Sequence, residues 1–284
     1  MSKSIKMFVL IIIGIVFLSI FFTRYSREIM VFDDSNFEQG IRDALRRPTG
    51  NIYKEELMKL KELSISGKDL TDISEIRILT NLELLYIGFN NITDISALSN
   101  LTNLNVLGMN NNNITDISAL SNLTNLETLM ITNNNITDIS ALANLTNLKV
   151  LDLRNNNIAN INPLADLTNL TELWLIDNNI TDVMALTNLT NLTNLRLNNN
   201  NIKDITPLSN LTKLKILGIM NNDIKDMSPL DNLTKLTSLF RSGNNEYYEY
   251  EDDEEYEEYE EYEEYEEYEI KQDDERYENS SIIY

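Results

Sequence analysis

The chain has 284 residues with no cysteine and no histidine, which excludes disulfides, the usual zinc sites, and Cys/His or Ser/His nucleophile systems. Its formal charge of −22 is uneven: residues 246–284 hold 20 Asp and Glu against Lys271 and Arg276, a net −18 that leaves only −4 for the first 245 residues. A nearly neutral body without a basic patch has nothing to hold a phosphate backbone, so nucleic-acid binding is not expected.

Residues 1–30 form a signal or anchor segment. Met7–Phe22 is 16 residues without a charge, preceded by Lys3 and Lys6. As a helix it spans about 24 Å, slightly short of a hydrocarbon core of about 30 Å, and Thr23 and Tyr25 would extend it into the interface. Two readings stand: an uncleaved membrane anchor, or a cleaved signal peptide. Phe21-Phe22-Thr23-Arg24 is a poor cleavage site, which favours the anchor. Lys3 and Lys6 favour a cytoplasmic N-terminus, and Arg24 and Arg27 partly cancel that bias. The expected location is the cell membrane, spanned once with the remainder outside, or the exterior if the segment is cleaved.

Residues 31–59 read as a helical cap. Ser35 and Glu38 have capping-box spacing, Phe37, Ile41, Ala44 and Leu45 make one apolar stripe, and Pro48-Thr49-Gly50 ends the helix.

Residues 60–245 repeat every 22 residues, from Leu60 through Leu82, Leu104 and so on to Leu236, giving eight complete units and the start of a ninth. Such a period implies a solenoid, an architecture used for binding surfaces more than for catalysis. Apolar residues recur at positions 1, 4, 6, 11, 14, 17 and 20 of the unit, as in Leu104, Leu107, Met109, Ile114, Ile117, Leu120 and Leu123. Positions 4 and 6 alternate as in a strand, and the later spacing of three suits short 3₁₀ turns. Position 9 is Asn in every unit but the first, where Lys68 stands; an amide that both donates and accepts can tie turns of adjacent coils together. Position 13 is Asp, or once Asn160, and is read as a cap for the turn that follows rather than as a metal ligand. The Asn-x-Thr triplets follow from the repeat and are not read as glycosylation sites.

Residues 246–284 are dominated by Glu-Glu-Tyr triplets, with tyrosines at 256, 259, 262, 265 and 268. A period of three gives neither a helical nor a strand face, and glutamate repulsion opposes compaction, so a disordered tail is expected. Its readings are a solubilising appendage or weak capture of cations or a basic partner.

The pattern LxxLxLxxNxIxDIxxLxxL over residues 60–245 resembles the 22-residue leucine-rich repeats of bacterial internalin-like proteins, a class that also includes the regulatory subunit of protein phosphatase 1. Residues 32–63 resemble the helical cap that precedes such repeats. The resemblance implies a leucine-rich repeat horseshoe, an α/β-type solenoid with short parallel strands on its concave face and 3₁₀ or irregular structure on its convex side. Internalins commonly continue into an immunoglobulin-like domain and a cell-wall sorting signal. Here the repeats run into the acidic tail and no LPxTG-like motif is present, so attachment would rest on the N-terminal run.

On that architecture, outward strand positions 5, 7 and 8 carry specificity, and they vary where other columns are uniform. They supply the candidate binding residues Tyr86, Phe89, Met130, Asp152, Arg154, Trp174, Ile176, Asp177, Arg196 and Met220. Trp174 is the only tryptophan, is expected to face solvent, and has Arg154 and Arg196 one coil away on either side. The expected role is binding of a protein or surface ligand, without catalysis, cofactor or metal. The alternative is an intracellular, membrane-tethered scaffold of the phosphatase-regulator kind.

Overall fold

Residues 28–244 are described by a computed structural model of the chain. The N-terminal run 7–22 and the acidic segment 246–284 lie outside them, and among the described residues no helix is long and apolar enough to cross a membrane.

The cap is built from a two-stranded antiparallel pair, β1 (Ile29–Met30) with β2 (Ile52–Tyr53), and the helices α1 (Ser35–Ala44) and α2 (Lys54–Leu57). The sequence places the capping box on Ser35; instead Asp34 caps α1, its Oδ1 accepting from the amides of Asn36 and Phe37 at 2.7 and 2.9 Å. Glu38 is drawn away to Arg42, one turn on at 2.6 Å. Phe37 and Ile41 are buried as the stripe requires, Leu45 is half-buried, and Ala44 is exposed. The β1–β2 pair has no sequence signal, because two-residue strands show no alternation.

The repeats form one parallel sheet of nine strands: β3 (Glu62–Ser64), β4 (Leu84–Tyr86), β5 (Val106–Gly108), β6 (Thr128–Met130), β7 (Val150–Asp152), β8 (Glu172–Trp174), β9 (Asn194–Arg196), β10 (Ile216–Gly218) and β11 (Ser238–Phe240). Each strand pairs with the next in sequence at equal repeat positions, Leu63 with Leu85 and Leu85 with Leu107. The central leucine of each strand points inward. Across the coil it meets 3₁₀ turns such as Ser96–Leu98 and Ser118–Leu120. The seven aliphatics of the third unit are all buried to within 1% of complete. A single coil leaves its apolar residues uncovered on both faces, so stability comes from stacking, as in other quasi-one-dimensional folds.

Three polar columns build the corners. The position-9 amide joins two coils: Asn134 Nδ2 donates to the carbonyls of Met109, Ile131 and Thr132 at 3.0–3.4 Å, and its Oδ1 accepts from the Ile114 amide at 3.0 Å. Position 13 caps the turns, with Oδ1 accepting from the amide two residues on; Asp94 meets Ser96 at 2.7 Å and Asn160 meets Asn162 at 3.0 Å. Position 22, which the sequence reading passes over, adds a third tie, as when Asn125 Nδ2 donates to the Thr102 carbonyl at 2.8 Å.

The two ends differ. α1 packs on β3 and closes the first coil. At the other end Leu239, central in β11, is 39% exposed, whereas its counterpart Leu217 is fully buried. Arg241 stands where an aliphatic closes other coils.

Candidate functional site

Side chains of positions 5 and 7 line the concave face in register, one coil apart, and they pack on each other rather than standing apart. Asp152, at the end of β7, and Arg154, two residues on, form a buried pair: Nη2 meets Oδ2 at 2.7 Å, and Nε meets Oδ1 at 3.0 Å. The Arg154 guanidinium lies over the Trp174 ring, 5.3 Å from its centroid. That stacking, with the curvature of the sheet, leaves Trp174 only 4% exposed, not solvent-facing as its strand position suggests. Met130, Asp152, Arg154, Ile176, Arg196 and Met220 are also buried at this surface.

Arg196 does not flank Trp174 symmetrically. Its guanidinium lies over Phe240, two coils further on, 5.1 Å from the ring centroid. Gly218 on the intervening coil makes this possible, since a Cβ there would sit 3.2 Å from Arg196 Cδ. Gly108 does the same for Tyr86, whose ring would be 2.5 Å from a Cβ at that position. Absent side chains thus set the direction of long ones, which a column-by-column reading of the sequence cannot see.

Position 8 is a left-handed corner rather than a strand position. Asn111, Asn133, Asn155, Asp177, Asn199 and Asn221 all have φ between 51° and 54°. Asn and Asp tolerate this region, and their amides form a ladder, Asn155 Nδ2 to Asn133 Oδ1 at 2.6 Å and Asn199 Nδ2 to Asp177 Oδ1 at 2.7 Å. Asp177 therefore has a building role. Phe89 occupies the same corner at φ 53° and is 49% exposed. A bulky residue held in this region stores backbone strain, as residues at functional sites do.

Position 3 is a further variable column, beside position 5, that the sequence reading omits. Leu84, Val106, Thr128, Val150, Glu172, Asn194 and Ile216 are half-buried beside the position-5 side chains. They vary from coil to coil, and alternation about the inward leucine was the available signal.

Elsewhere, grooves of about 490 and 430 Å³ lie between the turns of Asp116 and Asp138 and of Asp94 and Asp116. They repeat one coil apart with the same residue types and belong to the construction. Backbone and hydroxyl hydrogen bonds from Ser96 and Ser118 hold Asp94 and Asp116 below the ordinary carboxylate range. The described residues contain no group of three acidic side chains placed to hold a metal ion.

A family model of leucine-rich repeats in two copies matches residues 59–100, 102–144, 146–189, 168–210 and 190–232. Internalin C2 of Listeria monocytogenes is 35% identical, with a TM-score of 0.71 over 74% of this chain and 94% of that one. Internalin F of the same species is also 35% identical over 75% of this chain and 83% of that one, with a TM-score of 0.43. The leucine-rich repeat ectodomain of the plant membrane receptor kinase GASSHO1/SCHENGEN3 from Arabidopsis thaliana was solved in complex with CASPARIAN STRIP INTEGRITY FACTOR 2. It is 25% identical, with a TM-score of 0.58 over 68% of this chain and 25% of that one. No curated protein sequence matches the chain.

Proposed function

The chain belongs to the leucine-rich repeat family, of internalin type, and from that premise we propose that it is a binding protein of the cell surface. The run 7–22 anchors it in the membrane or directs its export, and the concave face binds a protein or surface polymer. The observation that carries this reading is the contrast between columns: positions 9, 13 and 22 repeat because every coil needs their hydrogen bonds, whereas positions 3, 5 and 7 vary. The plant receptor ectodomain, solved with its bound factor, supports a protein partner.

Within this reading Trp174, covered by Arg154 and the Asp152 carboxylate, acts from beneath the face by holding its surface in shape. Tyr86 and Phe89 make an apolar contact near the cap, with Met130 packed beneath. Rigid aromatics lose little entropy on binding, which suits them to such sites.

Affinity capture from surface extracts tests the face. Trp174→Ala and Phe89→Ala should each lose a partner that the unaltered chain retains, with cooperative melting preserved. Thr102→Ala, on an exposed edge of the coil, is the control. Equal capture by all three variants would remove the concave face as the binding surface. Protease treatment of intact cells tests placement: loss of the repeat body supports exposure at the surface, and full protection supports the intracellular scaffold.

A further inference from the structure

The columns at positions 9, 13 and 22 are uniform because each coil needs their hydrogen bonds. Position 10 is uniform as well, with Asn91, Asn113, Asn135, Asn157, Asn179 and Asn201 in six consecutive units. All six are exposed, and among the described residues their side chains make no hydrogen bond. The main chain does not demand the residue type either. None of the six has a positive φ, and the bond made there comes from the backbone, as from the Asn113 amide to the Ile92 carbonyl at 2.9 Å. Position 2, also at the surface, reads Glu83, Asn105, Glu127, Lys149, Thr171 and Thr193 in the same six units, so a surface column is otherwise free to vary.

The column belongs to a wider strip. Positions 8, 10 and 12 are at the surface while 9 and 11 are buried: Asn133, Asn135 and Thr137 are exposed, Asn134 and Ile136 are not. From Phe89 to Ala159 these three positions cross four coils without a charged residue. An amide has two N–H donors and an oxygen with two lone pairs. The position-8 amides use part of that capacity on their ladder, as from Asn155 to Asn133, whereas the position-10 amides use none of it on the protein. Asp94, Asp116 and Asp138 border the strip at position 13 and repel an anionic polymer. Phe89, 49% exposed, puts an aromatic ring on the first of the four coils.

One ligand class answers to all of this. Sugar hydroxyls both donate and accept, and one face of a pyranose consists of C–H groups that stack on the negative face of an aromatic ring. Coils repeat at about 4.8 Å, and an extended β-1,4-linked chain advances by a similar step from ring to ring. We propose that the strip from Phe89 to Ala159 is a binding track for a neutral, extended polysaccharide, with one sugar ring on each coil. The position-10 amides hold successive rings, and Phe89 stacks on the ring at the end. Each contact is weak, and affinity accumulates along the polymer. The track lies outside positions 3, 5 and 7. It shares only Phe89 with the proposed concave contact, so the two stand or fall separately.

Titration calorimetry with cellohexaose and with chitohexaose tests the track, on the full chain kept in a detergent without a sugar headgroup. At least one hexasaccharide should bind with a Kd below about 1 mM. Binding of both supports recognition through ring hydroxyls, and binding of chitohexaose alone supports recognition through its acetamido groups. Affinity should rise from the disaccharide to the tetrasaccharide and then level off, because the strip crosses four coils. Salt at about 1 M, where charges are screened within about 3 Å, should leave it unmoved. Changing Asn113, Asn135 and Asn157 together to Ala should weaken binding by about tenfold or more, and Asn135→Ala alone by about threefold, with Phe89 left in place and melting unchanged. The proposal is overturned if neither hexasaccharide binds at millimolar concentration, or if the triple variant binds as the parent does. Tighter binding of heparin, a sulfated glycan, than of either hexasaccharide also overturns it. So does early melting of the triple variant, because the column would then be part of the coil's construction.

Discussion

Asn134 and Trp174 sit at positions 9 and 5 of two different coils, yet one has a counterpart in nearly every unit and the other has none. Asn134 satisfies backbone groups of two coils at once, and its counterparts from Asn90 to Asn244 do the same. Its identity is fixed by the main chain, which is the same everywhere. Trp174 touches side chains, and those differ from coil to coil. A column that answers to the backbone becomes uniform; one that answers to side chains stays free to acquire a specific role.

The largest expected effect is one that blurs this division. Asp152→Ala leaves the Arg154 guanidinium buried without its bidentate acid and should cost about 3–5 kcal/mol, although both residues lie in the variable columns. Urea unfolding measures it. A loss under about 1 kcal/mol would mean that water reaches the pair and that the concave face is open there. Next is the ladder itself. Asn134→Ala strips partners from three carbonyls and one amide in the interior, and should cost about 2–4 kcal/mol. If the uniform columns are equivalent, Asn112→Ala should match it. Unequal losses would show that central coils differ in more than their exposed side chains.

Phe89→Asn should act in the opposite direction. The residue lies at φ 53°, and replacing a bulky side chain in the left-handed region by Asn should stabilise the chain by about 1 kcal/mol. The new amide would also extend the corner ladder that now runs from Asn111 to Asn133 and Asn155. Thermal melting of the pair reads the gain. Stabilisation together with loss of partner capture would identify Phe89 as a residue kept for function at a structural cost; stabilisation alone would make it a local irregularity.

Much of the fold was legible, because a 22-residue period repeats its own evidence. The inward aliphatics, the Asn column and the Asp caps each recur often enough to be separated from chance. What failed to show were features without repetition. The cap of α1 lies on Asp34 because Asp34 and Ser35 are adjacent and both suit the role. The outward positions 5 and 7 were legible from the strand alternation, but the packing of their side chains on one another was not. Arg196 reaches Phe240 only because Gly218 is small, and that depends on a residue 22 positions away. Position 8 looked like recognition because Phe89 and Asp177 stand out there, whereas the other members, Asn or Gly, carry the signature of a left-handed corner.

The smallest expected effect concerns the Asp caps, and it tests whether a uniform column can change residue without changing role. Ser96 and Ser118 lower the pKa of Asp94 and Asp116 through backbone and hydroxyl bonds, and Thr206 and Ser228 do so for Asp204 and Asp226. A carboxylate with a lowered folded-state pKa favours the native state above its unfolded value of about 4, and that contribution is lost as pH falls through the folded value. The repeat body should therefore lose stability below about pH 4. Asn160 already fills this column, and its amide oxygen accepts the same bond from Asn162 at 3.0 Å without any charge to titrate. Changing Asp94, Asp116, Asp204 and Asp226 together to Asn should leave melting near pH 7 almost unmoved and flatten the acid limb. A variant that melts early at neutral pH would show that the caps act through their charge, and that the coil of Asn160 is the weak point of the stack.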